Sequence, residues 1–449
     1  MTPSKRLSYE RVMPLFAITF VDVLGLTVIL PLLHLYALAY QATPLQIGLV
    51  AAAFPLAQMV GVPIMGALSD RYGRKPVLMI SQISTFVGFL MLAAAGSLEM
   101  VILSRIVDGL FGANLATAQA AITDMTDDET RAQGLGLTGA AFGLGFLFGP
   151  AISLITLEFS NSLAIPALIA ACYSFVSILL TYFGFKETLP PANRVQTLSR
   201  SFNLFEGWGL LRRSRINVLL VLMFFQQVAF YAFETLLGLF TLSRLGLLGQ
   251  GNSLIFIYVG VILVYAQVRL IGRWRRKYGE RRLVLIALGA LAAGLLLVAF
   301  TPAQPQPFYI EHQVEASLRD LAPSATEAII GAIPVALPDE SQRGLGGIVW
   351  FLIAAIPLTI GAGLIRPALN SLIVKWTAAG DAGAILGVST SVVSLANAVA
   401  PLIGGWLFQT QGVTAPFALG GAVMLILLVI AAVMLPSVAP ANAQSQSAG

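Results

Sequence analysis

Twelve apolar runs of membrane length follow one another along the chain, separated by short polar stretches. They cover 13–38, 44–68, 76–96, 99–122, 133–157 and 163–185, then 217–243, 253–271, 283–301, 347–372, 384–409 and 414–435. A helix that crosses a bilayer needs about 20 apolar residues, so each run predicts one crossing. Several boundaries carry helix-start signals. Thr43-Pro44 reads as an N-cap followed by proline at the first helical position, while Asn161 and Asp381 read as caps before the sixth and eleventh runs.

The polar stretches alternate in charge. Most of the 26 lysines and arginines fall in every second connection or at its edges, as the positive-inside rule requires of cytoplasmic segments, so both termini are expected in the cytoplasm. The longest basic stretch, 186–216, contains Pro190-Pro191 and breaks the apolar pattern, which predicts a cytoplasmic linker between residues 1–185 and 217–435. The last fourteen residues, 436–449, read as a disordered cytoplasmic tail. Arg105 and Arg366 place a basic side chain well within the runs, and Arg269 stands at the cytoplasmic edge of the eighth.

The two halves repeat. Gly66 and Gly73 match Gly272 and Gly279 at an offset of 206, and Gly136, Gly145 and Gly149-Pro150 match Gly387, Ala396 and Ala400-Pro401 at an offset of 251. The 45-residue difference locates an insertion, and the polar segment Pro302 to Gly346 has that length. Ser324-Ala325-Thr326-Glu327 reads as a capping box there, before an amphipathic stretch from Ala328 to Leu337. A decoration of the outer face is the expected role of this insert, ahead of a binding module.

Composition narrows the class further. With 57% hydrophobic and 10% charged residues and a mean hydropathy of +0.85, most of the chain needs lipid as its solvent. The net charge of +5 is distributed as membrane topology requires, so no nucleic-acid partner is expected. Cys172 has no partner for a disulfide, His34 and His312 are isolated, and no metal or other cofactor is expected. There is no ATP-binding or catalytic motif; the chain is not expected to be an enzyme.

The connection between the second and third runs, Gly66-Ala67-Leu68-Ser69-Asp70-Arg71-Tyr72-Gly73-Arg74-Lys75-Pro76, packs a carboxylate, three cations and two glycines into a tight turn. Gly73 supplies a backbone free to take φ > 0, and Pro76 suits the first turn of the next helix. This stretch resembles the signature loop of the major facilitator superfamily. The resemblance implies an all-α integral membrane fold with twelve transmembrane helices in two pseudo-symmetric six-helix bundles, and a substrate site near the midplane. It also gives the loop a role as a conformational latch of Gly66, Asp70, Gly73, Arg74 and Asp124. Asp70 would face the start of the eleventh helix, and Arg74 would pair with Asp124, holding the halves together on the inside in the outward-open state. The second-half copy has Arg276 and Glu280 in place of Asp70 and Arg74, so its latch is expected to be lost.

Acids within the runs are the candidates for coupling chemistry. A charge at the bilayer centre costs ~2.5–3.5 kcal/mol on insertion scales, so each one needs a reason. Arg105 and Asp108 stand at i,i+3 and can pair. Asp22-Val23-Leu24-Gly25, followed by Pro31, resembles the first-helix motif of the drug:proton antiporter branch, tetracycline efflux pumps included. A fixed Asp22–Arg105 bridge is the competing structural reading. Glu234 is the third acid, on a stripe with Met223, Gln227 and Tyr231, with Phe230 beside it. Gln58 and Asn397 are further candidates for the cavity wall, against a competing role in helix–helix hydrogen bonding. Gly136, Gly145, Gly149 and Pro150 have the spacing of the superfamily's antiporter motif, with Ser153 where the pattern continues as glycine.

The function expected from these readings is proton-coupled efflux of drug-like amphipathic small molecules. The proton-coupling residues are Asp22, Arg105, Asp108 and Glu234, and the substrate cavity is formed by Gln58, Gln227, Phe230, Tyr231 and Asn397. The expected partners are a small-molecule substrate, protons and the lipid bilayer of the plasma (inner) membrane, with a monomer as the working unit. Two alternatives stay open: export of an endogenous metabolite such as a sugar or siderophore, and a non-transporting membrane receptor.

Overall fold

The computed structural model describes residues 9–126, 130–159, 162–191, 194, 214–320, 335–376 and 382–435, and these form helices and connections with no strand among them. Helix 1 runs Tyr9–Ile29 and, past a 3-10 turn at Leu30–Leu32, resumes as Leu33–Leu38. Helices 2 and 3 are Pro44–Tyr72 and Arg74–Ala93. Helix 4 comes in two pieces, Leu98–Phe111 and Asn114–Met125, and helices 5 and 6 are Arg131–Phe159 and Ala164–Gly184. Helices 7 and 8 are Ser214–Leu245 and Gly249–Tyr265, and helix 9 is Ile271–Ala299. Helices 10, 11 and 12 are Gly346–Trp376, Ala382–Gln411 and Ala415–Met434.

Among the described residues, eleven helical stretches are long and apolar enough to cross a membrane, and one of them, Gly249–Ala299, is 51 residues long. At about 1.5 Å per residue it is more than twice the thickness of a hydrocarbon core. Helices 8 and 9 merge in it through a π-helical turn at Ala266–Leu270, and the chain leaves helical geometry at Gly279 (φ 73°, ψ 167°). The stretch therefore supplies two crossings, and the protein is an all-α, multi-pass membrane protein with twelve. Thr43 caps helix 2 as its sequence predicts: Gln46 N–H donates to Thr43 Oγ1, and Thr43 N–H donates to Gln46 Oε1 at 2.8 Å. The proposed caps Asn161 and Asp381, and the capping box at Ser324, lie outside the described residues.

Helix 1 packs on helices 5 and 6, helix 2 on helix 4, and helix 3 on helices 4 and 6; helix 7 packs on helices 10, 11 and 12, and helix 9 on helices 10 and 12. Between these groups helix 2 meets helix 11 and helix 5 meets helix 8. One end of the molecule carries the 66–76 loop and is basic; the other carries the 302–346 segment. The hydrogen bonds that join the halves gather at the second, insert end. Asn252 Nδ2 donates to Pro31 O at 2.5 Å, Gln250 Nε2 to Leu157 O at 3.2 Å, and Leu45 N–H to Gln409 Oε1 at 3.2 Å. At the basic end, a side chain built on Gly66, Gly136, Gly139 or Gly272 would meet open space. The described hydrogen bonds between the halves thus close the insert end.

The insert joins this closed end. It holds a helix, Glu311–Asp320, and a 3-10 turn, Glu340–Gln342. Tyr309, Val314, Leu318 and Val335 are buried in the main apolar core. Gly246, at φ 63°, ends helix 7 and lets the Tyr309 ring lie directly against its backbone, where any Cβ would collide. Gln306 N–H donates to Leu245 O at 3.0 Å beside it. The described parts of the insert, 302–320 and 335–346, are thus packed against the body of the protein.

Candidate functional site

The break in helix 4 organises the first half. The run predicted as one helix over 99–122 is interrupted because Gly112 leaves helical geometry (φ −73°, ψ 67°). Backbone groups freed within a membrane need other partners. Gln58 Nε2 of helix 2 donates to Gly112 O at 3.0 Å, and Ala113 N–H donates to Ser81 Oγ of helix 3 at 3.4 Å. Gln58, expected in the cavity wall, serves this junction between helices.

The same break turns Asn114 toward helix 1, where its Nδ2 donates to Asp22 Oδ1 at 2.8 Å. Asp22 lines a small pocket with Thr19, Leu78, Asn114, Leu115 and Phe142. The Asp22–Arg105 bridge is not formed. Arg105 Nη1 lies 3.3 Å from Asp108 Oδ2, both side chains are buried at 3% exposure, and the guanidinium sits 5.2 Å from the centre of the Phe89 ring. Arg105 Nη2 is buried without a partner. Asp22 is thus held by a neutral amide, while the nearby arginine is taken by another acid.

The helix-5 glycines bring this site together. A Cβ on Gly145 would strike Val23, and one on Gly149 would strike Thr27, so helix 5 seats directly on helix 1 beside Asp22. Thr27 Oγ1 donates to Gly145 O at 2.9 Å across the seam. Pro150 is buried in the same stretch, whereas Gly136 stands away from it in open space. Ser153, where the family pattern has glycine, receives a hydrogen bond from Ser253 Oγ of helix 8 at 3.3 Å and so joins the two halves.

In the second half Gln227 Nε2 donates to Asn397 Oδ1 at 2.8 Å, which ties helix 7 to helix 11. Tyr231 and Glu234 follow on the same stripe, both partly exposed, and Phe230 packs toward Phe233 at 6.2 Å between ring centres. The structure therefore gathers the candidates into two groups, one around Asp22 in helices 1, 4 and 5 and one around Glu234 in helices 7 and 11.

The loop at the basic end is built around Arg74. Its Nη1 contacts Asp70 Oδ1 at 2.7 Å and its Nε contacts Asp124 Oδ2 at 2.8 Å. Gly73 takes φ 108° to turn between helices 2 and 3. Glu187, which the sequence reading left without a role, caps helix 3. Arg74 N–H donates to its Oε1 at 2.9 Å and Lys75 N–H to its Oε2 at 3.1 Å, so an anion sits where the helix dipole favours one. The residues that lead into helix 11, 377–381, where the expected partner of Asp70 begins, lie outside the described residues.

One expectation about the latch needs correction. Arg74 holds Asp124, as expected, and Asp70 too. The second-half copy is not lost. Lys375 Nζ contacts Glu280 Oε1 at 2.7 Å, with Ser371 Oγ donating to the same oxygen at 3.4 Å. Glu280 repeats Arg74 at the offset of 206, and Lys375 repeats Asp124 at 251. The bridge is conserved in place and reversed in sign. The glycine spacing carried both offsets, but matching residue types hid a pair with exchanged charges.

A family model described as Major Facilitator Superfamily matches residues 15–310 and 328–449, and its interruption falls inside the insert. The chain is 26% identical to the tetracycline resistance protein, class B, of Escherichia coli over 393 residues, which is 86% of this chain and 85% of that one. It is 22% identical to multidrug resistance protein 2 of Bacillus subtilis (strain 168) over 410 residues, 91% of this chain and 90% of that one. Among solved structures, the crystal structure of the human organic anion transporter MFSD10 aligns with a TM-score of 0.67 at 21% identity, covering 95% of this chain and 100% of that one, a likeness of fold.

Proposed function

The chain belongs to the Major Facilitator Superfamily and is a membrane transporter of small molecules, and we propose that it exports amphipathic, drug-like compounds in exchange for protons. The basic end faces the cytoplasm of the plasma (inner) membrane, with both termini on that side, and the monomer is the working unit. Residues 1–185 and 217–435 are the bodies that rock against each other across the linker 186–216.

The observation that carries this reading is the bonding of Asp22. A carboxylate inside a span is expected to be paired or to work. Asp22 has an amide donor on Oδ1 and no cation, because Arg105 is held by Asp108. A proton can bind and leave at Oδ2 without disturbing the Asn114 bond. The carboxylate therefore changes charge in place, beside helix 5, the helix that meets helix 8 of the other body. Loading from outside and release to the cytoplasm drive substrate the other way. Tyr231, Glu234 and the Gln227–Asn397 pair form the facing wall of the substrate site, with Glu234 attracting cationic compounds.

The test is flux in proteoliposomes with ethidium as the probe. The wild-type protein is expected to move ethidium against its gradient when a pH difference is imposed. Asp22→Asn, which keeps the shape and a partner for Asn114, is expected to abolish pH-driven movement while leaving downhill exchange. Full coupled transport by Asp22→Asn would remove the proton role from this residue.

A further inference from the structure

Arg366 is a cation within a membrane-spanning helix that the reading above does not use. It lies in helix 10, Gly346–Trp376, ten residues before the basic end of the helix, and its side chain is exposed. No carboxylate among the described residues comes within the 4.0 Å that defines an ion pair. Arg105, the other intramembrane arginine, has both an acid and an aromatic ring.

Two independent lines place Arg366 on the cavity side. The lipid-facing stripe of helix 10 is marked by Val349, Ile353 and Ile356, exposed at 49%, 58% and 41%, and is continued by exposed Pro367. One helical position is about 100° of rotation, so Arg366 is turned well away from that stripe. The internal repeat gives the second line. The offset of 251, which pairs Lys375 with Asp124, maps Arg366 onto Leu115, and Leu115 lines the pocket of Asp22. Along helix 10, Thr359 and Asn370 stand seven residues before and four after Arg366, on the same face. Thr359 Oγ1 and Asn370 Oδ1 are both buried without a hydrogen-bond partner. Thr359 is enclosed by protein, whereas Asn370, one turn and about 6 Å from Arg366 at 1.5 Å per residue, is partly exposed beside it.

We infer that Arg366 is a subsite for the anionic group of the transported compound, a carboxylate, sulfonate or phosphate carried on an apolar body. A guanidinium offers a planar fork of N–H donors that matches such groups two bonds at a time. Unpaired, it is costly inside a span; an anion seated on it removes that cost. With Glu234 on helix 7, the cavity then holds one group of each sign, and a zwitterion can engage both. The inference rests on the transport reading only for what happens after binding.

The test uses full-length protein in phosphatidylcholine nanodiscs, with fluorescein as the anionic probe and ethidium as the cationic one, binding being read by fluorescence anisotropy. Arg366→Gln is expected to weaken fluorescein binding about ten-fold or more, as loss of a charge-assisted pair does, and to leave ethidium within about two-fold. Arg366→Lys keeps the charge and is expected to recover part of the affinity. An equal loss for both dyes, or no loss for fluorescein, overturns the subsite. A wild-type protein that does not bind fluorescein overturns it too. Added phosphatidylglycerol that displaces fluorescein would make a lipid headgroup the occupant and also overturn it. Binding through Arg366 without pH-driven flux in proteoliposomes upholds the subsite and removes the transport reading instead.

Discussion

Arg74 divides one guanidinium between two helices, with Nη1 on Asp70 and Nε on Asp124. Only a planar fork reaches both at once. Arg74→Lys is therefore expected to behave almost like Arg74→Ala, each losing about 1.5–3 kcal/mol, the range for a hydrogen bond to a charged group. Thermal unfolding of the purified protein checks this, and a lysine variant as stable as wild type would show that charge alone suffices. A second residue-scale expectation concerns Glu234. Glu234→Gln should raise the half-saturation for ethidium more than for an uncharged dye, because only the cation gains from the carboxylate; equal changes would make Glu234 a packing group. Part of this chemistry was legible from the sequence. The Arg105–Asp108 pair follows from i,i+3 spacing, and Asp22 stood out as an acid in an apolar run. Its partner Asn114 did not, because the two are 92 residues apart and meet only where helix 4 breaks.

Twelve crossings and the cap at Thr43 could be read from the pattern of apolar runs, since burial in lipid leaves a helix few alternatives. The break at Gly112 was hidden, because the bonds that tolerate it come from Gln58 and Ser81 on other helices. The repeat offsets called for a 45-residue insert, but its packing was hidden, since one buried ring decides it. Tyr309→Ala is expected to destabilise the protein by about 3–5 kcal/mol, as loss of a large buried ring does. Calorimetry or a thermal shift on the detergent-solubilised protein would measure this, and an unchanged transition would mean that the insert is only loosely laid on. For the second bridge, Lys375→Glu alone should destabilise helix 10 against the 272–281 connection. Combining it with Glu280→Lys should recover the loss, by about 0.2–1 kcal/mol because Lys375 is largely exposed. A double variant no better than the single one would reduce the contact to coincidence.

For the whole molecule, closure at the insert end and the open space beside Gly66 predict which surfaces a reagent can reach. With Cys172 replaced, a cysteine at Gly66 should react with maleimide from the basic side, and one at Gly48, wedged against Pro401, should be shielded. Equal labelling of the two would contradict the arrangement. No sequence pattern announces which end is closed, because the same residues must serve both states of a rocking transporter. The reversed sign of the two bridges has a consequence for how such a chain comes to be built. Two homologous halves emerge from the ribosome in succession, and each offers a similar connection to a similar helix end. If the loop of one half docked on the other half, Arg74 would meet Lys375 and Glu280 would meet Asp124, like against like. Each half therefore attracts its own loop and repels its sibling's, so the charges that brace the mature protein also sort its two copies as it assembles.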